Sequence, residues 1–401
     1  MTRGSARIER LSEALAEAGL DALFCSLPTT ILMVAGYWPA VGNAVAMVTR
    51  DGRVAVLAPE DEEGLARHGW ATDLRPFAAG SLQQVMSPEE ALHDPLAALL
   101  RDLGLSSAKI GYEGAALDEP ATYSSVNVYG ASVVSLLREA APEATLVPLD
   151  DLITAQRAFL TADELATERV ACAVAAAAFE RGAAELRPGL TEAEVVPNFE
   201  SPLRTLGLAQ AGVERAGGFV WCMSGPHSAQ AKRAFAQTRT RVLERGDLVL
   251  IHCNSYVDGY WTDVTRTYCL GAPDEKQSAI YAAILAAREA ALKAIAPGVR
   301  ASAVDAAARG VVEEHGFGPY FPHGLGHSIG FSAINGGARP RLHPASDDVL
   351  EVGSTFNIEP SIYIDGYGAA RHCDVVTVGE NGAEMLTPFH ASVADLTIAL
   401  Q

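Results

Sequence analysis

The chain has 401 residues, 49% of them hydrophobic and 20% charged, with a formal net charge of −19. One core rarely serves so long a chain, so two domains are expected. The acidic balance leaves no basic face for nucleic acid or an anionic membrane, and no apolar run approaches the roughly 20 residues of a membrane span.

Residues 1–157 alternate helix and strand. The opening RIERLSEALAEAGLDALF reads as an amphipathic helix over Ile8–Ala18, ending near Gly19, and then a strand over Ala22–Leu27. It lacks the apolar core of a signal peptide. Ala44–Thr49 and Val54–Ala58 form a hairpin around Asp51-Gly52. Helices are predicted over Pro88–Leu103 and Ala131–Ala140, and strands over Lys109–Tyr112 and Thr145–Pro148. This is an α/β domain without a catalytic motif, and its His68 and His93 stand alone. The six cysteines (Cys25, Cys172, Cys222, Cys253, Cys269, Cys373) show no paired spacing. In a core-rich chain they read as reduced thiols of a cytoplasmic protein.

Beyond a boundary near residues 150–161 the pattern repeats itself. Thr161-Ala162-Asp163-Glu164 is a capping box that opens a helix to about Leu186, and Arg187-Pro188-Gly189-Leu190 breaks it. Thr191-Glu192-Ala193-Glu194 opens a second helix toward Leu206. Ser278–Ile295, Ala296-Pro297-Gly298-Val299 and Ala301–His315 repeat this helix–break–helix plan. A hairpin also recurs, as IHCNSYVDGY over Ile251–Tyr260 and IEPSIYIDGY over Ile358–Tyr367. Residues 161–401 are therefore expected to be a duplicated α+β domain with a site where its halves meet.

Asp-Gly between apolar and aromatic residues signals a type I′ turn. A two-residue turn at Asp258-Gly259 pairs Val257 with Tyr260 and Asn254 with Asp263. His252 then shares a face with Asp263, roughly 7–8 Å away along the diagonal. The same turn at Asp365-Gly366 puts Cys373 on the face away from Glu359. The Gly368-Ala369-Ala370 run allows a longer loop or a bulge, so that register stays open. His323–Gly330 (HGLGHSIG) is too rich in glycine for a helix, and a strand would put His323 and His327 on one face. Each residue alone has an ordinary structural explanation. Together His252, Asp263, His327, Glu359 and Cys373 mark a shared polar site.

These motifs carry a resemblance. Ser224-Gly225-Pro226, Gly246-Asp247-Leu248-Val249, Gly259 through Asp263 to Thr267, His323–Gly330, Ile358-Glu359-Pro360 and Arg371 with Asp374 resemble the pita-bread family of aminopeptidase P, prolidase, methionine aminopeptidase and creatinase. Residues 1–157 resemble the N-terminal domain of its creatinase/prolidase branch. The resemblance implies a cytoplasmic homodimer with a small-molecule substrate. It also implies a dinuclear centre built from Asp, Asp, His, Glu and Glu. The second Asp falls on Asp263, the His on His327 and the first Glu on Glu359. His252 replaces the first Asp and Cys373 replaces the bridging Glu. The substrate-binding His falls on Ile334, and Lys232, with His227 five residues earlier, stands near the place of another family His.

Two readings follow. In the first, Asp263, His327, Glu359 and Cys373 hold one divalent metal, with His252 beside it. Thiolate and imidazole favour zinc or iron over manganese. His323 then hydrogen-bonds a developing oxyanion, and the chain cleaves a C–N bond in a small amino-acid-like or dipeptide-like molecule. In the second, no metal is bound, and His252, His323, His327 and Glu359 do creatinase-like acid–base hydrolysis. A metal-dependent lyase or redox tailoring enzyme and a non-catalytic binding pseudoenzyme are further alternatives. Arg266 and Arg371 are expected to pair with carboxylates and hold the hairpins. Tyr256, Tyr260, Trp261 and Tyr363 are expected to pack them.

Overall fold

Short runs of Val, Ala, Leu and Phe in the N-terminal part become a six-stranded mixed sheet. Its strands are β1 (Ala22–Cys25), β2 (Val45–Thr49), β3 (Val54–Pro59), β4 (Asp73–Phe77), β5 (Lys109–Tyr112) and β6 (Thr145–Pro148), in the order β4-β3-β2-β1-β5-β6. Helices α1 (Ser5–Glu17), α2 (Pro28–Ala35), α3 (Glu63–Ala66), α4 (Pro88–Asp102), α5 (Ala131–Ala140) and α6 (Asp150–Arg157) complete this unit. The computed structural model describes residues 3–40, 43–80, 82–83, 86–114, 131–232, 237–333 and 337–400. Contacts divide the chain into Met1–Arg157 and a second unit of Ala158–Ala333 with Ala338–Gln401.

The predicted first strand stops short of Leu27 because Pro28 opens a helix, where a missing N–H costs nothing. The Glu113 carboxylate accepts from the N–H groups of Ser26 (2.7 Å) and Leu27 (3.0 Å) at that helix end. Every residue of α2 is buried, so it carries no amphipathic period by which to recognise it.

The second unit repeats one plan. Helices α7 (Ala162–Ala184) and α8 (Glu192–Gly207) lead into β7 (Ala216–Ser224), β8 (Leu248–Val257), β9 (Tyr260–Trp261) and β10 (Val264–Leu270). Helices α9 (Glu275–Ala294) and α10 (Ala301–Glu314) lead into β11 (Gly326–His327), β12 (Arg341–Leu342), β13 (Thr355–Ile358), β14 (Ser361–Ile364), β15 (Gly368–Arg371), β16 (Asp374–Gly379) and β17 (Gly382–Met385). A last short strand, β18 (Thr397–Ile398), edges β10. Both expected capping boxes form. A third, Asp274 with Gln277, starts α9 three residues before the predicted Ser278.

Each helix pair covers its own sheet. Phe179, Phe199 and Tyr268 centre the first core, and Ile284, Val304, Phe356 and Ile358 the second. Isolated bridges Thr265–Cys373, Ser328–Phe356 and Trp261–Gly330 join the two hairpins and the glycine-rich segment, so the halves share a seam. Among the described residues no helix is long and apolar enough to cross a membrane. All six cysteines are buried and unbridged.

Candidate active site

The first hairpin folds as its sequence dictates. Asp258 and Gly259 both have positive φ, 48° and 89°, and Val257 pairs with Tyr260. The same register places Thr265 opposite His252. Thr262 and Asp263 interrupt the strand there, and Asp263 is 1% exposed. His252 Nδ1 lies 2.9 Å from Thr265 Oγ1 and 3.6 Å from Asp263 Oδ1. Its ring stacks on Trp221, its cross-strand neighbour on β7, with centroids 5.5 Å apart. Burial, followed by Arg371, holds this imidazole well below its usual pKa, so it is neutral.

The second hairpin does not take a two-residue turn. Ile364 pairs with Gly368 and Ser361 with Arg371, which makes Asp365, Gly366 and Tyr367 a three-residue connection. The register continues into Ile358 opposite Asp374. One extra loop residue flips every later side chain to the other face. Cys373 therefore stands opposite Glu359 instead of behind it. Its thiol donates to the Asp263 carbonyl oxygen (3.1 Å) and lies 3.5 Å from Asp263 Oδ1. Burial pushes that thiol pKa up, and Asp263 and Glu359 push the same way.

His323–Gly330 is strand only at Gly326–His327, paired with β12, so His323 falls outside it and the expected single face does not form. His327 Nδ1 donates to the Ser328 carbonyl (3.1 Å), and its Nε2 lies 3.6 Å from Asp263 Oδ2. His323 Nδ1 likewise donates to the Gly324 carbonyl (2.8 Å), and its Nε2 lies 3.2 Å from the Tyr363 hydroxyl. Burial lowers the His323 pKa, with Glu359 opposing and Arg371 assisting. A neutral His323 thus presents a proton acceptor, where an oxyanion partner would need a donor.

Arg371 takes a carboxylate partner, as expected, and does so inside the polar cluster. Its Nη2 is ion-paired with Glu359 Oε2 and lies 3.7 Å from Asp263 Oδ1, inside the cluster. Asn357, on the face of Glu359 by strand alternation, is fully buried and bonds the His327 main chain. Alternation from Glu359 was the available signal for it. Gly326 permits that contact, because a Cβ there would lie 1.9 Å from the Asn357 carbonyl oxygen. Gly326→Ala should destabilise the fold by ~1–3 kcal/mol, as overpacking does. A thermal melt unchanged from wild type would mean that the two strands are free to separate.

Arg266 takes the expected clamping role, on Asp374 at 2.6 Å. Tyr256 and Trp261 form the expected packing pair, 4.8 Å between centroids. The side chains of His227 and Lys232 are engaged elsewhere, on Glu192 (2.9 Å) and on Asp365 (2.6 Å). Ile334 lies outside the described residues.

Burial also pushes the Asp263 carboxyl up, against the pull of Arg371 and with the push of Glu359. Among the described residues no three His, Cys, Asp or Glu side chains form a ready-made metal group. Arg371 already holds Glu359, and the Asn357 amide faces His327 and Cys373. The dinuclear centre does not fit. Two carboxylates and one guanidinium leave one negative charge. A thiolate would make two, which one divalent ion neutralises, and a second ion would leave buried charge unpaired. Asp263 Oδ1 lies 3.5 Å from the Cys373 sulfur, and its other oxygen, Oδ2, lies 3.6 Å from His327 Nε2.

A duplicated α+β domain with its polar cluster on the seam, preceded by an α/β domain, defines the pita-bread class of hydrolases. Residues 167–380 match metallopeptidase family M24, and residues 7–159 match the creatinase/prolidase N-terminal domain. The chain belongs to that metallopeptidase family. It is 29% identical over 383 residues to a Xaa-Pro dipeptidase of Pyrococcus furiosus, covering 95% of this chain and 97% of that one. It is 35% identical over 280 residues to the probable dipeptidase PepE of Mycobacterium bovis, covering 66% of this chain and 71% of the relative. The solved Xaa-Pro dipeptidase from Bacillus anthracis superposes with a TM-score of 0.76 at 27% identity, covering 96% of this chain and 98% of that one.

Proposed function

We propose that this chain hydrolyses a C–N bond in a small dipeptide-like or amino-acid-like substrate, at a centre rebuilt for one divalent ion. Asp263, His327, Glu359 and Cys373 would hold the ion, zinc or iron before manganese, with His252 beside them. The observation that supports the reading is the Asp263 carboxylate, one oxygen of which lies 3.6 Å from His327 Nε2 and the other 3.5 Å from the Cys373 sulfur. The relatives named as dipeptidases support the substrate class. Such an ion, when bound, would supply polarisation of a carbonyl and a water acidified toward neutral pH.

The chain's own residues would do the rest. His323, neutral and with Nε2 facing the Tyr363 hydroxyl, would take that hydroxyl's proton as the tyrosine oxygen accepts one from the attacking water. Glu359 is held against Arg371, which aims its carboxylate into the cluster. Trp221 fixes the plane of the His252 ring.

A second reading, metal-free acid–base hydrolysis, is favoured by one observation. Arg371 and Asn357 already occupy the acceptor atoms a metal would take. Metal content separates the two. Protein purified without a His tag or added metal is measured by plasma mass spectrometry beside Cys373→Ala. The first reading expects about one equivalent of zinc or iron, largely lost in the variant, and turnover of a dipeptide panel that includes Xaa-Pro substrates. No metal after reconstitution with zinc, iron and manganese would overturn it in favour of the second.

A further inference from the structure

Residues 321–325 lead into β11 as neither helix nor strand, yet they carry His323. Main-chain groups without a ladder must find partners elsewhere. Here the partners come from one ion pair on α10. Asp305 and Arg309 stand four residues apart on that helix and so share a face. Arg309 Nε donates to Asp305 Oδ2 at 2.8 Å and Nη2 to Oδ1 at 2.9 Å, a two-point pair on a buried carboxylate. The pair then takes hold of every second residue of the loop. Arg309 Nη1 donates to the Phe321 carbonyl (3.0 Å) and Nη2 to the His323 carbonyl (2.8 Å). Asp305 Oδ1 accepts from the Leu325 N–H (2.9 Å). The guanidinium also lies 4.4 Å from the centroid of the Phe321 ring, and that ring meets the His323 ring edge-on, 5.2 Å between centroids. On the other side a Cβ at Gly324 would lie 2.8 Å from the Leu342 carbonyl, so the loop has no room to back away toward β12.

We infer that Arg309, held by Asp305, is a positioning residue for His323. It fixes the main chain on which the His323 ring is mounted and so aims Nε2 at the Tyr363 hydroxyl, 3.2 Å away. The planar guanidinium is what the task requires. Its fork reaches two carbonyls and a carboxylate at once, which a lysine ammonium on a single stem cannot do in the same geometry. The work given to His323 rests on the hydrolase reading above, whereas the bracing of its loop does not. Misplacing a group by about 1 Å costs on the order of 100-fold in rate, so slackening this brace should lower kcat far more than it changes KM.

The His323 ring itself reports on the brace without turnover. Its Nδ1 donates to the Gly324 carbonyl at 2.8 Å, so one neutral tautomer is expected, with two well-separated ring-nitrogen shifts. The full chain is labelled at its histidine nitrogens and measured by NMR at about pH 8, where an ordinary imidazole is neutral. His323 is assigned by its loss in His323→Asn. Wild type is compared with Arg309→Gln and Arg309→Lys, the lysine keeping the charge opposite Asp305 and guarding against a variant that fails to fold. The expected result is that both variants draw the two His323 shifts together, as mixed tautomers do, while the His93 and His390 signals stay in place. On any dipeptide that wild type cleaves, kcat should fall roughly 10- to 100-fold in Arg309→Lys with KM within about 3-fold. Unchanged His323 shifts in both variants overturn the inference. So does a spectrum in which Arg309→Lys moves every histidine alike, since Arg309 then supports the fold as a whole. Moved His323 shifts with kcat unchanged, or with no dipeptide cleaved by wild type, uphold the brace and overturn the part given to His323 in the hydrolase reading.

Discussion

Replacing Arg266 with methionine should lower the stability of the second unit by ~3–5 kcal/mol, the range seen when one partner of a buried ion pair is removed. In a melt this is a fall of roughly 10 °C or more for a domain of this size. Arg266 has no exposed surface. Its guanidinium donates to Asp374 Oδ1 (2.6 Å) and to the carbonyls of Cys373 (2.7 Å), Thr265 (2.9 Å), Thr387 (3.1 Å) and Phe389 (2.8 Å), and it lies 4.2 Å over the Phe389 ring. Against the penalty of burial, Arg266 and then His372 hold the Asp374 carboxyl well below the usual range. Methionine matches the volume and supplies none of these donors. Arg288 would keep its bond to Asp374 Oδ2 at 2.5 Å, so the carboxylate would be half-paired. Calorimetry should show the loss. A change under ~1 kcal/mol, the worth of a surface pair, would mean that Arg266 does not clamp the hairpins.

Glu168→Gln should have the opposite sign. Glu168 lies on α7 with no exposed surface, and among the described residues its Oε1 meets only the Cys172 thiol at 3.8 Å and its Oε2 has no partner. Burial pushes this carboxyl up to about 8. The folded value lies above the unfolded one. Its share of stability is therefore complete below the unfolded pKa and is lost as pH climbs through the folded value. At ~1.4 kcal/mol per pH unit, the loss reaches about 3 kcal/mol by neutrality. Glutamine does not titrate, so the variant should match wild type near pH 4.5 and gain steadily to pH 8, reaching roughly 5–10 °C in Tm at neutral pH. Melts across that range check it. A gain independent of pH would show that the benefit is packing, and no gain would show that the carboxyl finds a partner.

The first hairpin was legible because its chemistry is local. Asp258-Gly259 fixes the turn, and alternation carries that register to His252 and Thr265. The second was not, since Asp365-Gly366 is equally consistent with two loop residues or three, and only packing against the first hairpin selects between them. The same limit applied to His323. A glycine-rich run has no period to read, and the position of its ring is set by Phe321, Gly324 and Tyr363. Helices opened by capping boxes were found to within a few residues. The buried α2, which lacks any polar stripe, was missed. That Arg371 pairs with a carboxylate was legible, but its sequence neighbours give no hint that Glu359 and Asp263 would both lie beside it.

Surface connections between strands usually tolerate a gained or lost residue. The link at Asp365, Gly366 and Tyr367 is an exception with a particular signature. Shortening it by one residue would leave every amino acid of the polar cluster encoded, yet would turn Cys373 away from Glu359. A genetic screen would record such an in-frame deletion as a catalytic null, although no reactive group had been deleted. In chains of this type, loop length at the hairpin tip belongs in the definition of the active-site motif alongside the residues themselves.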